Sequence, residues 1–212
     1  MHASWLAGRG YKVHLIDIMP DHVEQAERAS SAQPETPLAS ASVGDARSLN
    51  CPDASVDGVL LFGPLYHLTE HKDCMKSVSE AHRVLKPGGI LMAIGISRFV
   101  YALDGLFRGF LDDPESIPIV DGDLKDGHHL NPTGNPDYFT DAFFHNAEGL
   151  KAEVREGKFK LLGCFGIEGP GWLIPNFHDH WNDEARRNRL LKMVRGIRTQ
   201  FIWSQRSPHG GW

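Results

Sequence analysis

Short apolar runs that alternate with helical segments constrain the fold of this chain more than any other feature of its sequence. The strongest run is Val56–Phe62, two further β-rich runs cover residues 12–17 and 90–96, and a weaker one covers residues 38–43. Helices are predicted between most of these runs. Apolar strands separated by helices indicate a mostly parallel sheet that is covered on both faces. We therefore expect an α/β fold.

Caps, prolines and apolar stripes place the helices between and after these strands. Helices are predicted at about residues 3–7, 20–30, 69–85, 99–110, 146–156 and 184–200. Thr69 is the expected N-cap of the third helix, and residues 86–89, Lys-Pro-Gly-Gly, are expected to end it and turn the chain. Residues 159–167 are predicted to form a late strand that buries Cys164. We predict a frayed end at residues 204–212.

Residues 98–145, which we call the lid segment, interrupt this alternation. Residues 112–135 are rich in Asp, Gly, Pro and His and show no clean periodicity, so we expect them to be irregular. Long insertions in compact domains are commonly functional covers, and the aromatic content here favours a packed one. The domain prediction is a single domain over residues 1–212 with this segment inserted.

Composition excludes several classes of protein. The 212 residues suffice for one domain with a full core, and no apolar run approaches the ~20 residues of a membrane helix. A formal net charge of −5 argues against a broad nucleic-acid surface. Three widely spaced cysteines predict neither a disulfide framework nor a zinc pair, which favours the cytoplasm. No metal site is predicted, because neither His128–His129 nor the pair His178 and His180 has a recognised ligand spacing.

Polar groups follow three of the predicted strands, and ligands of open α/β sheets bind at the carboxyl ends of strands. Asp17 ends the first strand and could accept hydrogen bonds from both hydroxyls of a ribose. Asp45 follows the second strand and could accept from a purine amino group. Residues 62–67, Phe-Gly-Pro-Leu-Tyr-His, follow the third. Each has a plain alternative: Asp17 as a helix cap, Asp45 as a turn residue, and His67 as a surface histidine.

These stretches carry a family resemblance. The segments are AGRGYKVHLIDIMPDHVEQA, GDARSLNCPDASVDGVLLFGPLYHL and EAHRVLKPGGILMAIGISRF, with GIEGPGWL further on. Together they resemble class I S-adenosylmethionine-dependent methyltransferases of the small-molecule type, over roughly residues 3–180. The resemblance implies a Rossmann-like three-layer sandwich. It also implies methyl transfer by direct displacement to a small-molecule acceptor.

The resemblance implies a site for S-adenosylmethionine at these strand ends. Asp17 would hold the ribose hydroxyls, with Ile18 against the adenine. Asp45 and Ala46 would meet the adenine edge. The methionine end would lie against backbone atoms of two further residues, Phe62 and Gly63.

The same resemblance places the acceptor beside the third strand end. His67 would act as the general base for an acceptor that carries a proton, and Tyr66 would position the acceptor. His128 and His129 in the lid segment are alternative bases. The residues expected to cover the substrate are Tyr101, His128, His129, Tyr138 and Trp172.

One departure from the family leaves a second hypothesis open. The family begins with a strand followed by a glycine-rich turn, whereas this sequence starts in a predicted helix, so we expect a member shortened at its N-terminus. The alternative function is a non-catalytic remnant that acts as a binding or dimerisation partner, and a homodimer is its expected assembly. A nicotinamide-dependent oxidoreductase ranks last, because no GxGxxG follows a strand.

Overall fold

The structure is a computed structural model, and it describes residues 2–167, 171 and 174–203. The chain divides into two compact units, residues 1–160 and residues 161–212. The first unit contains all the strands of the described part of the chain. A single domain over residues 1–212 stays a prediction.

Two pairs of parallel strands form the sheet framework of the first unit. β1 (His14–Asp17) pairs with β2 (Ser40–Val43), and β3 (Val56–Phe62) pairs with β4 (Leu85–Ile94). In each pair the carboxyl ends coincide. Within the described residues each of these strands has one hydrogen-bonded neighbour. The predicted parallel strands are thus confirmed.

Helices connect the strands of each pair, as parallel pairing requires. α1 (His2–Ala7) precedes β1, and α2 (Pro20–Ser31) links β1 to β2 with a proline in its first turn. α4 (His71–Val84) links β3 to β4. Its buried side chains recur every three or four residues, so one helical stripe packs against the sheet. These buried residues are Cys74, Ser77, Val78, Ala81 and Val84.

The boundary between α4 and β4 differs from the prediction. The helix begins at His71 with Glu70 as its N-cap, so Thr69 is not the cap. The Lys-Pro-Gly-Gly sequence does not separate helix from strand, because β4 already starts at Leu85. Val56 lies opposite Leu85 and Gly58 opposite Ile90, so β4 holds the extra residues in a bulge. Gly88 has a φ of +83°, which is the left-handed backbone that such a bulge needs.

The lid segment has a hydrophobic core of its own. It contains α5 (Val100–Arg108), α6 (Ser116–Lys125) and the antiparallel pair β5 (His128–His129) and β6 (Ala142–Phe143). The core residues are Tyr101, Ile119, Tyr138, Ala142 and Phe144. The packed segment that the aromatic content favoured is confirmed.

The irregular structure predicted for residues 112–135 is wrong, because α6 lies inside that range. The inward face of α6 carries Ser116 and Asp123 beside Ile119, and all three are buried. A helix whose buried face is partly polar shows little hydrophobic periodicity. The periodicity of apolar residues therefore did not reveal this helix.

The predictions for the end of the chain are partly confirmed. α7 (Ala147–Glu156) begins after Asn146, whose side chain accepts a hydrogen bond from the Gly149 amide at 2.6 Å. In the second unit, α8 (Phe177–Asn182) and α9 (Glu184–Trp203) follow, and α9 matches the predicted basic helix.

The prediction of a late strand at residues 159–167 is wrong. Residues 161–167 form no strand, and Leu162 is 80% exposed in place of the burial that its apolar pattern implied. Cys164 is therefore not part of a buried strand. Gly163 and Gly166 weaken extended pairing here. The predictions for Trp172 and for residues 169–170 and 204–212 lie outside the described residues.

Candidate functional site

The carboxyl end of β1 presents Asp17 at the edge of the first strand pair. Its Oδ1 accepts a hydrogen bond from the Met19 amide at 2.9 Å, and its Oδ2 lies 3.2 Å from Nδ1 of His22. The alternative interpretation of Asp17 as a helix cap is therefore partly correct, because Asp17 closes the turn before α2. Its side chain remains 36% exposed, which leaves oxygen lone pairs accessible. Ile18 beside it is 61% exposed and offers an apolar surface at the same edge.

Asp45 lies after β2 and is bound by a neighbouring guanidinium. Arg47 donates to both carboxyl oxygens at 2.7 to 3.1 Å, and its backbone amide donates to Oδ1 at 2.8 Å. Arg47 also contacts Asp73 of α4 at 3.0 Å. These hydrogen bonds hold the pKa of Asp45 below its ordinary value. In this conformation Asp45 serves a structural ion-pair network, while Ala46 packs against the core beneath β3.

After β3 the chain turns directly into α3 (Pro64–His67). Gly63 has a φ of +134°, a conformation that side chains with a Cβ rarely adopt, and the Tyr66 hydroxyl lies 3.9 Å from where that Cβ would be. The buried Cys74 thiol of α4 donates to the Leu68 carbonyl at 2.9 Å and so anchors the turn after α3. Burial raises the pKa of this thiol to about 12. The turn after β3 is thus fixed from beneath.

His67 and Tyr66 are adjacent on α3, with ring centroids 4.6 Å apart. Burial lowers the pKa of His67, and the negative charge of Asp17 acts in the opposite direction. A lowered pKa keeps the imidazole neutral at pH 7, which is the form that accepts a proton. Phe62 contacts the His2 ring edge-on at 5.4 Å.

Most of the residues expected to cover the substrate belong to the core of the lid segment. Tyr101 lies 3.2 Å from the Ser116 hydroxyl, and both are buried. Tyr138 is also buried and donates its hydroxyl proton to Asp113 at 2.6 Å. This hydrogen bond to a carboxylate raises the pKa of Tyr138 to about 12. In this conformation neither tyrosine presents its hydroxyl to a ligand.

The two lid histidines have different surroundings. His128 is exposed, and its Nδ1 lies 2.9 Å from Oδ1 of Asp126. His129 is fully buried, with Nδ1 3.0 Å from both carboxyl oxygens of Asp123 and Nε2 2.6 Å from the Tyr138 carbonyl. Both of its ring nitrogens are occupied. His129 therefore lacks a free nitrogen for proton transfer.

Phe139 is a residue that sequence reasoning did not single out for the site. Its ring lies nearly parallel to that of His67, with centroids 6.5 Å apart and planes 18° apart. It also contacts the rings of His129 and Phe144, each at 6.0 Å. Phe139 thus connects the lid core to the end of β3. No sequence signal marked it, because it has neither a charge nor a motif.

Backbone hydrogen bonds join the two ends of the lid segment. Ser97 and His145 form a parallel bridge, in which the Arg98 amide donates to the His145 carbonyl at 3.0 Å and the His145 amide donates to the Ile96 carbonyl at 2.7 Å. The buried His145 side chain lies 3.1 Å from Glu153 of α7. The segment therefore leaves and rejoins the sheet framework at one point.

Other parts of the described residues carry no comparable chemistry. No group of three or more His, Cys, Asp or Glu side chains within them is arranged to hold a metal ion. A surface depression lined by Glu27, Ser30, Ser31, Leu38 and Ala41 borders α2 and the amino end of β2. It lies away from the strand ends where ligands of parallel sheets bind. None of the helices within residues 2–167 and 174–203 is long and apolar enough to cross a membrane.

Comparison with known proteins gives a family match for part of the chain. Residues 1–93 match the sequence model of a family described as a methyltransferase domain. No curated protein sequence matches the chain.

Two solved structures resemble it in fold. One is a SAM-dependent methyltransferase from Methanosarcina mazei, at 23% identity and a TM-score of 0.58, covering 77% of this chain and 76% of the other. The second is a protein from Pyrococcus horikoshii, at 20% identity and a TM-score of 0.51, covering 72% and 65%. The Rossmann-like fold expected from the sequence is thereby confirmed. Residues 1–93 thus resemble a methyltransferase domain, and the chain shares the fold of these two structures.

Proposed function

We propose that this chain transfers the methyl group of S-adenosylmethionine to a small-molecule acceptor by direct displacement. The observation that carries the proposal is that Asp17 ends β1 and that His67 lies in the short helix directly after β3, because ligands of parallel sheets bind at the carboxyl ends of strands. A carboxylate suited to a ribose and an imidazole suited to a proton therefore lie at the carboxyl ends of two strands. The family match over residues 1–93, which contains both residues, supports this assignment.

The residues at this edge fit the cofactor in part. Asp17 keeps an exposed carboxylate for the ribose hydroxyls, and exposed Ile18 offers an apolar surface for the adenine. The left-handed Gly63 lets the backbone approach a ligand closely, because no Cβ intervenes. Asp45 fits less well, since Arg47 already occupies its carboxylate. We propose that Ala46 and Phe62 contribute backbone and apolar contacts to the same site.

The chemistry requires little covalent participation from the protein. S-adenosylmethionine, when bound, supplies a methyl group on a positively charged sulfur that a lone pair of the acceptor can displace. The protein contributes proximity and orientation, which account for a large share of the rate enhancement in reactions of this kind. His67 takes the proton that an O–H or N–H acceptor releases, and Tyr66 limits the movement of the imidazole from 4.6 Å away.

Calorimetric titration with S-adenosylhomocysteine tests the cofactor site. We expect the wild-type chain to bind it and Asp17→Asn to bind at least about tenfold more weakly, because hydrogen bonds to a charged group contribute about 1.5 kcal/mol or more. Asp21→Asn, an exposed carboxylate in the first turn of α2, is the matched control and should bind as the wild type does. Absence of binding by the wild-type chain would favour the non-catalytic alternative.

A cytoplasmic location and a homodimer complete the proposal. Within the described residues β1 and β3 each have one hydrogen-bonded neighbour, and strand edges of this kind favour pairing with a second chain. Light scattering should give twice the mass of 23.6 kDa. A monomeric mass at micromolar concentration would contradict the dimer without bearing on the cofactor site.

A further inference from the structure

We propose that Phe139 is the acceptor-recognition residue, and that the acceptor is a flat aromatic or heteroaromatic molecule that binds between the rings of Phe139 and His67. The inference rests on the proposed function, because it assigns the class of acceptor for the same site. It adds a residue that neither the family match nor the strand-end argument identifies.

The two rings have a geometry suited to a flat guest. Their planes are 18° from parallel, and their centroids are 6.5 Å apart. A flat ring that contacts one ring on each face requires about 7 Å, which is twice a carbon contact distance of about 3.5 Å. In contrast, the stacked rings of His129 and Phe144 have centroids only 4.6 Å apart. The two rings would therefore have to move apart by at least about half an ångström to admit a flat ring between Phe139 and His67.

The backbone of Phe139 is held in a strained conformation. Its φ of 66° and ψ of −179° lie in a region that is almost restricted to glycine. The Asn131 side chain donates to the Phe139 carbonyl at 2.6 Å, and the Phe139 amide donates to the Pro136 carbonyl at 3.3 Å. Strain of this kind persists where the surroundings over-determine it, and it clusters at ligand clamps. Here it fixes a phenylalanine opposite the proposed base.

The surroundings of the ring leave part of it accessible. Phe139 is 41% exposed, although it contacts the rings of His129 and Phe144 in the lid core. Those contacts support the ring from within the lid segment, and α3 supports His67 from the sheet framework. An exposed aromatic ring supported in this way can stack with a flat ligand.

The test compares two alcohols of the same carbon skeleton, 2-naphthol and decahydro-2-naphthol. Only the first is flat. Each is titrated into the wild-type chain with and without S-adenosylhomocysteine, and binding is followed by saturation-transfer NMR. We expect 2-naphthol to bind about tenfold more tightly than the saturated alcohol under both conditions. Equal affinities, or no detectable binding of 2-naphthol, would overturn the proposal.

Two variants keep the test independent of folding defects. Phe139→Leu removes the flat ring but keeps apolar bulk, whereas Phe139→Gly also relieves the backbone strain. Both should lose about tenfold in affinity for 2-naphthol and keep the wild-type affinity for S-adenosylhomocysteine. Phe99→Leu, an exposed phenylalanine elsewhere in the lid segment, is the matched control and should change neither affinity.

The outcomes separate the two proposals. If the Phe139 variants bind 2-naphthol as the wild type does, the acceptor assignment is wrong and the methyltransferase proposal is unaffected. If the wild-type chain binds 2-naphthol in the expected manner but does not bind S-adenosylhomocysteine, the methyltransferase proposal fails while the aromatic site remains.

Discussion

Asp123 and His129 form a fully buried hydrogen-bonded pair in the lid core, with both carboxyl oxygens 3.0 Å from Nδ1 of the imidazole. The other ring nitrogen faces the Tyr138 carbonyl, which can only accept. One proton must therefore lie between Nε2 and this carbonyl, and a second must lie between Nδ1 and the Asp123 carboxyl group. Burial raises the pKa of Asp123, and the hydrogen bond and charge of His129 oppose that shift. The pair joins α6 to β5 through the interior of the lid segment.

Replacement of Asp123 should destabilise the lid segment by an amount that depends on the new side chain. Asp123→Ala leaves Nδ1 of His129 buried without a partner, and we expect a loss of about 3 kcal/mol. Asp123→Asn should cost about 1 kcal/mol, because its amide can donate to Nδ1 while Nε2 donates to the Tyr138 carbonyl. Urea unfolding and hydrogen exchange of residues 98–145 measure both. Equal losses for the two variants would contradict the role assigned to this pair.

Arg47 should govern part of the acid unfolding of the first unit. Its hydrogen bonds hold the pKa of Asp45 below the value in the unfolded chain, and it adds to the effect of Lys76 in lowering the pKa of Asp73. A lowered carboxyl pKa stabilises the folded chain above the unfolded value, and this stabilisation is lost as pH falls through the folded value. Arg47→Gln should therefore reduce the loss of stability between about pH 4 and pH 2.

The control for this prediction is a second arginine. Arg28→Gln removes an exposed i,i+4 partner of Glu24 on α2 and should leave the acid slope unchanged. Stability is measured by urea unfolding at half-unit pH intervals. If both variants keep the wild-type slope of unfolding free energy against pH, the network of Arg47, Asp45 and Asp73 does not control acid unfolding.

His67 should set the acidic limb of the pH–rate profile for methyl transfer. Because burial lowers its pKa, activity should rise through a midpoint below the ordinary histidine value of about 6.5. His67→Gln should remove this limb and lower kcat about a hundredfold, a common magnitude for general-base catalysis. Asp17→Asn should move the limb to lower pH at saturating cofactor, since the Asp17 charge raises the pKa of His67. A shift to higher pH would contradict this coupling.

Two left-handed glycines of the lid segment should respond differently to a methyl group. Gly127 and Gly134 have φ values of +92° and +70°. A Cβ at Gly127 would overlap the Phe144 carbonyl, whereas a Cβ at Gly134 would meet nothing within 4 Å. Gly134→Ala should therefore cost only the conformational strain, about 1 kcal/mol. Gly127→Ala should cost several times as much, as measured by urea unfolding. Similar losses at the two positions would show that the Phe144 backbone moves freely.

The sequence predicted the elements that depend on local patterns. The apolar run of β3, the Asn146 cap of α7 and the polar strand ends each depend on a few neighbouring residues, and they lie where expected. The strand at residues 159–167 failed because an apolar alternation shows only that a strand could form. It cannot supply the hydrogen-bonded neighbour that a strand requires.

The candidate site was predictable to the same extent. Asp17 and His67 were predicted because ligands of open α/β sheets bind at the carboxyl ends of strands. The ion pair between Arg47 and Asp45 could not be predicted, because the sequence does not indicate where the Arg47 guanidinium points. His129 was expected to face a ligand, yet its partner Asp123 lies on a helix that the apolar pattern concealed. The position of the Phe139 ring depends on a strained backbone conformation, which the residue type does not indicate.

The bridge between Ser97 and His145 makes the lid segment a removable module. A segment whose ends already meet can be replaced by a short turn with little cost in chain-closure entropy. Residues 98–145 could therefore be exchanged for another insertion that leaves and rejoins the chain at the same point. By this route a lineage could acquire new acceptors through the replacement of a single segment, while the strand ends proposed to hold the cofactor remain unchanged.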